Sequence, residues 1–137
     1  MDKTIAHLGF IQGIITRMGG NSFLLKGWSV TLVAALFALS AKDANNNFVL
    51  IAYFPVLVFW FLDAFFLHQE KLFRKLYEEV AAGNIPSDLF TMNTLLVRDR
   101  VPSIIRVFFS KTLLPFHGVI VVIVTLTMCL TFFKITL

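Results

Sequence analysis

Phe48-Val49-Leu50-Ile51-Ala52-Tyr53-Phe54-Pro55-Val56-Leu57-Val58-Phe59-Trp60-Phe61-Leu62-Asp63-Ala64-Phe65-Phe66-Leu67 is a run of twenty residues with one charge, Asp63. Roughly 20 apolar residues of helix cross the hydrocarbon core of a bilayer. Lipid offers the backbone no hydrogen-bond partners, so such a segment has to satisfy its own N–H and C=O groups as a helix. Pro55, a turn or two inside, predicts a kink rather than a break. Two further runs flank this one. Phe23–Ala41 has Lys26 near its start and no charge from Gly27 onward, and Thr112–Phe133 has no charge at all. The first qualifies as a span if the Lys26 stem is buried and its ammonium reaches the headgroups. The reading is an all-α membrane protein with three transmembrane helices, a hairpin plus a third span, and cytoplasmic amphipathic helices.

Composition agrees with this reading. The chain has 137 residues, 58% of them hydrophobic and 15% charged, with sixteen phenylalanines. A water-soluble core of that size has little room for so many aromatic rings. Cys129 is the one cysteine, which excludes an internal disulfide, and no Cys/His set has zinc-ligand spacing. No metal or cofactor is expected. Residues 1–23 lack the ordered parts of a removable signal peptide, so retention of the chain from its start is expected.

The net charge of +4 carries topology rather than nucleic-acid affinity. Ten of the twelve basic residues fall in two segments: Lys3, Arg17 and Lys26 before the first run, and Lys71, Arg74, Lys75, Arg98, Arg100, Arg106 and Lys111 in residues 68–111. Lys42 and Lys134 complete the set. Three spans place the two basic segments on one side, which the positive-inside rule makes the cytoplasm. The chain then divides into an N-terminal cytoplasmic or interfacial helix (1–22), a transmembrane helical hairpin (23–67), a cytoplasmic helical segment (68–111) and a third span (112–133).

Local signals refine those segments. Ile5, Leu8, Ile11, Ile15 and Met18 share a helix face, and Gly19-Gly20-Asn21 is expected to end that helix. It is expected on the membrane surface or against the helix that continues span two to Val80. In that continuation Phe73, Leu76, Tyr77 and Val80 share a face, Glu70 and Arg74 stand four apart, and Gly83-Asn84 is a stop. Ser87 is the expected N-cap of a short helix within 87–101. Pro102 is expected in the first turn of an amphipathic helix over Ser103–Leu114, at the membrane interface.

Asp63 is the sharpest candidate for function, because an ionisable group inside a span is rare and costly. Three readings stand beside one another: a hairpin charge pair with Lys26, a pore-lining or proton-linked acid, and a carboxylate that reaches the headgroups. Thr125, Thr127 and Thr131 are candidates for a polar lining, or for hydroxyls that bond their own helix or a neighbour. His117 reads as interfacial, Trp28 as part of an aromatic belt, and Trp60 as packing between helices. There is no phosphate loop, nucleophile elbow or His-Glu-x-x-His motif, so an enzyme is not expected.

The run from Phe59-Trp60-Phe61-Leu62-Asp63 through Phe73-Arg74-Lys75-Leu76-Tyr77 resembles bacterial SLATT-type proteins, small membrane effectors associated with nucleotide signalling and anti-phage defence. The resemblance covers roughly residues 15–82, and the third span departs from the minimal two-span plan. It implies an oligomeric inner-membrane effector that forms pores or disrupts the membrane. It also implies sensing through a soluble sensor or nuclease partner, or through a nucleotide signal, at the 68–111 segment. The candidate contact residues there are Glu70, Arg74, Lys75, Tyr77, Arg98 and Arg100. Expected partners are the bilayer and further copies of the chain, with no direct nucleic acid. The alternatives are a membrane anchor that recruits a soluble defence enzyme and a small constitutive channel or transporter. A transporter calls for more polar groups near the midplane.

Overall fold

The computed structural model describes residues 2–43 and 47–136. Those residues form helices and connecting turns, with no strand among them. Helix α1 spans Asp2–Asp43, α2 Asn47–Ile51, α3 Tyr53–Ala81, α4 Ile104–Phe108 and α5 Leu114–Thr136, with a 3-10 helix at Thr94–Arg100 before α4. Three helical stretches, in α1, α2–α3 and α5, are long and apolar enough to cross a membrane.

Helix α1 corrects the expected stop. It runs through Gly19-Gly20-Asn21 without interruption for 42 residues, about 63 Å at 1.5 Å per residue. Each glycine costs about 1 kcal/mol relative to alanine in a helix interior, and tertiary packing offsets that cost. Ile11 and Ile15 are buried against Leu76 and Val80 of α3 and Val97 of the 3-10 helix. Further along, Val33 packs with Ala52 and Val56. The partners on α3 fall in number as those on α1 rise, so the two helices run in opposite directions. The N-terminal part of α1 thus lies against residues 72–80, the second of its two expected positions.

Pro55 lies just inside α3, beyond the boundary with α2. It has no N–H to give the Ile51 carbonyl, and the helix is interrupted at the single residue Ala52. The ladder resumes at once, with Ala52 N–H donating to the Phe48 carbonyl (3.2 Å) and Val56 N–H to the Ala52 carbonyl (3.3 Å). The other end of α3 stops at Gly83, whose φ of +81° suits glycine. Gly83 N–H donates to the Val80 carbonyl and Asn84 N–H to that of Glu79, which satisfies carbonyls the helix would otherwise leave open.

Beyond Asn84 the structure departs from the sequence reading. The short helix is a 3-10 turn capped by Asn93, whose side chain accepts from Leu95 N–H. Ser87 instead bonds His7. The helix expected over Ser103–Leu114 is shorter: Ser103 caps α4, which ends at Phe108, and Pro102 lies outside it. A turn over residues 109–113 then redirects the chain into α5.

Helix α3 is the spine. Near its start Val49, Ala52 and Val56 join Val33 of α1 and Ile120 and Val124 of α5. In its middle Trp60 and Ala64 pack with Val107 and Leu113. Leu76 and Val80 meet α1 and the 3-10 helix at the charged end.

Candidate functional site: a buried charge cluster around Asp63

Where α1, α3 and α5 meet, four polar side chains converge inside apolar walls. Asp63, Ser22 and His117 are buried, and Lys26 keeps 22% of its side chain exposed. Helical spacing explains the convergence. Ser22 and Lys26 are four apart on the α1 face that meets α3. His117, in the first turn of α5, enters at the same level because the 109–113 turn delivers it there. Lys26 Nζ lies 2.6 Å from Asp63 Oδ2 and 2.9 Å from Ser22 Oγ. Ser22 Oγ donates to Asp63 Oδ1. His117 Nε2 lies 2.7 Å from Asp63 Oδ2. A carboxylate only accepts, so Nε2 carries the proton.

Aromatic rings close the site. Trp60 lies nearly parallel to His117, centroids 5.7 Å apart, and to Phe108 at 4.3 Å. Its Nε1–H donates to the Phe108 carbonyl at 2.9 Å, fastening α4 beside the cluster. Among the described residues, His117 Nδ1 is buried without a hydrogen-bond partner, as is Ser29 Oγ one turn beyond Lys26. Lys26 and Asp63 were both candidates from sequence. Ser22 was not singled out, and His117 was read as interfacial, whereas it is wholly buried on the Asp63 carboxylate.

Spacing along the three helices supplies a signal for that missing histidine. Lys26 to Lys42, and Asn47 to Asp63, are each sixteen residues, and His117 to Lys134 is seventeen. No other charged, amide or imidazole side chain lies within any of these intervals. At 1.5 Å per residue they measure about 24–26 Å, so the cluster bounds one end of a common apolar layer.

The threonines lie away from this centre. Thr125 donates to the Val121 carbonyl and bonds the Tyr53 hydroxyl at 2.7 Å. Thr127 and Thr131 donate to the Ile123 and Met128 carbonyls. All three hydroxyls thus bond their own helix, and Thr127 and Thr131 border a shallow hollow by Lys134.

Most of the expected contact residues at the other end are engaged within the chain. Arg74 Nε and one terminal nitrogen both donate to Glu70 Oε1, at 3.0 and 2.8 Å. Lys75 pairs with Glu78 at 2.9 Å. Glu79 holds Arg100 at 2.7 Å and accepts from the Asn84 amide at 2.9 Å. That amide bond first, and then the Arg100 guanidinium, hold the Glu79 carboxyl below its ordinary range. Tyr77 is half-buried against the Ile11–Leu76 packing. Arg98 is exposed. The structure adds His7, buried on α1, with Nε2 2.7 Å from the Thr91 carbonyl and Nδ1 2.9 Å from Ser87 Oγ. The carbonyl can only accept, which puts the proton on Nε2 and makes Nδ1 the acceptor for Ser87.

No family model, curated protein or solved structure matches the chain.

Proposed function

We propose that the chain is a multi-pass protein of the bacterial inner membrane, N-terminus cytoplasmic, that self-associates and permeabilises the membrane as the effector of an anti-phage system. The observation that carries the membrane part is the apolar layer of about 24–26 Å between the Asp63 cluster and Lys42, Asn47 and Lys134. Its outward side chains, among them Val30, Leu57, Val122 and Leu126, are exposed. Lipid or another copy has to cover them. Asp63 then sits at the cytoplasmic boundary of the layer, where its two donors on one oxygen and one on the other join the hairpin to the third span.

Self-association follows from what one copy lacks. At the Asp63 level the Lys26, Ser22 and His117 Nε2 donors are spent on the carboxylate, and the threonine hydroxyls on their own carbonyls. A water-filled path therefore needs several copies. The defence setting rests on the resemblance of residues 15–82 to SLATT-type effectors. Engagement of Glu70, Arg74, Lys75 and Arg100 within the chain leaves Arg98 as the free cation of that contact set among the described residues, and favours a partner protein over a tightly held nucleotide.

Dye-loaded liposomes test the proposal. The purified protein releases the dye with a steep dependence on protein concentration, and native mass spectrometry in mild detergent gives an oligomer. Membrane insertion without leakage at any concentration would leave the anchor reading, in which the chain recruits a soluble enzyme. A monomer that permeabilises liposomes would remove the oligomeric pore.

A further inference from the structure

The elbow that leads into α5 combines apolar exposure with unpaired positive charge. Ile105 is 69% exposed and Phe109 58% exposed. With Phe61, Ile104 and Phe108 they line an open apolar groove of about 140 Å³. Arg98, Arg106 and Lys111 are exposed, and none forms an ion pair with the described residues. Asp99 is the one acid between Arg98 and Lys111. The elbow is also fixed in depth. The Trp60–Phe108 bond and the burial of Val107 and Leu113 hold it beside the Asp63 cluster, at the end of the apolar layer.

We infer that this elbow, residues 104–113, is a binding surface for anionic phospholipid, its groove taking the upper acyl chain and Arg106 and Lys111 the headgroup. The inference rests on the membrane reading above. Three features select an anionic lipid over a second copy. Like charges at a self-contact would face one another unless offset by acids, and residues 104–113 contain none. The groove is too small for a helix, whose side chains need a cylinder about 10 Å across. Its position at the boundary of the apolar layer is where a phosphate lies, and basic residues near an anionic surface each contribute attraction that salt screens.

The test titrates phosphatidylglycerol, and phosphatidylcholine as control, into the detergent-solubilised full chain while following thermal stability. Phosphatidylglycerol stabilises the wild type at lower concentration than phosphatidylcholine, and added salt removes the difference. The midpoint of the double variant Arg106→Gln/Lys111→Gln moves up by about fivefold per cation removed, with the phosphatidylcholine response unchanged. Arg17→Gln, on the exposed face of α1, leaves the midpoint where it was. Equal response to both lipids, a preference that survives high salt, or an unshifted double variant overturns the inference. If the double variant fails to fold, the salt titration of the wild type decides alone. Crosslinking of Ile105→Cys to itself across copies would give the surface to a second copy and overturn it too. Carbonate extraction keeps the two proposals apart. A chain released from membranes refutes the spanning reading, whereas a retained chain without lipid preference refutes only this one.

Discussion

Lys26→Met strips the one lysine from a carboxylate that is wholly buried. What remains on Asp63 is the Ser22 hydroxyl and His117 Nε2–H. Breaking a buried ion pair by removing one partner costs about 3–5 kcal/mol. Lys26 keeps some exposure, so the lower end, about 3 kcal/mol, is expected. Asp63→Asn leaves the ammonium instead, which can straighten toward water, while the amide oxygen still accepts one bond. About 2 kcal/mol is expected there, in the range for a charged hydrogen bond. The double variant has no stranded charge. Its loss should stay near 2 kcal/mol rather than the additive 5, a coupling of about 3 kcal/mol. His117→Leu removes a donor to the same oxygen and a ring parallel to Trp60, and should cost about 1–3 kcal/mol. Denaturation of the four proteins in one mixed-micelle system measures the cycle, with leakage followed in parallel. Additive losses would refute the argument that the cluster clamps the helices. If Asp63→Asn abolished leakage at unchanged stability, the carboxylate would have a conducting or proton-carrying role instead.

Other expectations follow from single features. A cytoplasm-only reporter fused after Asn84 should be active and one fused after Leu137 inactive; equal activity at both would refute an odd number of spans between them. Gly20→Ala should raise stability by about 0.4–1 kcal/mol, since an added Cβ meets nothing within 4 Å, and a lower melting temperature would contradict the continuous helix. Glu79 lies sixteen residues beyond Asp63 along α3, away from the apolar layer, and its carboxyl is held below the ordinary range. Its contribution is therefore complete above that ordinary range and fades as pH falls through the lowered value. Glu79→Gln should flatten that acid-side loss while lowering stability at neutral pH, and an unchanged pH profile would assign the loss to other groups.

What the sequence discloses here depends on the range of the interaction. The three apolar runs, the Glu70–Arg74 pair and the stop at Gly83 are local, so composition, four-residue spacing and a glycine suffice. The Asp63–Lys26 contact is legible for a different reason. Both groups lie in otherwise apolar runs, where a lone charge needs a partner. His117 lies 54 residues from Asp63, and its arrival depends on a turn at 109–113 that no spacing rule predicts. The continuity of α1 was hidden by propensity. Gly19-Gly20-Asn21 disfavours helix locally, and the neighbours that override it lie on α3. Ser87 has the chemistry of a cap, but the buried imidazole of His7, eighty residues earlier, takes its hydroxyl.

That uninterrupted α1 makes the molecule a beam without a joint. It is held by Ile11 and Ile15 toward one end, by Val33 toward the other, and between them by Ser22 and Lys26 on Asp63. On one side about 28 Å of helix reaches His7, and on the other about 24 Å reaches Lys42. The Ser87–His7–Thr91 contact ties the long arm to the loop after α3. Gly20→Pro would insert the missing hinge. Spin labels at the two ends should move in concert in the wild-type chain and independently in that variant.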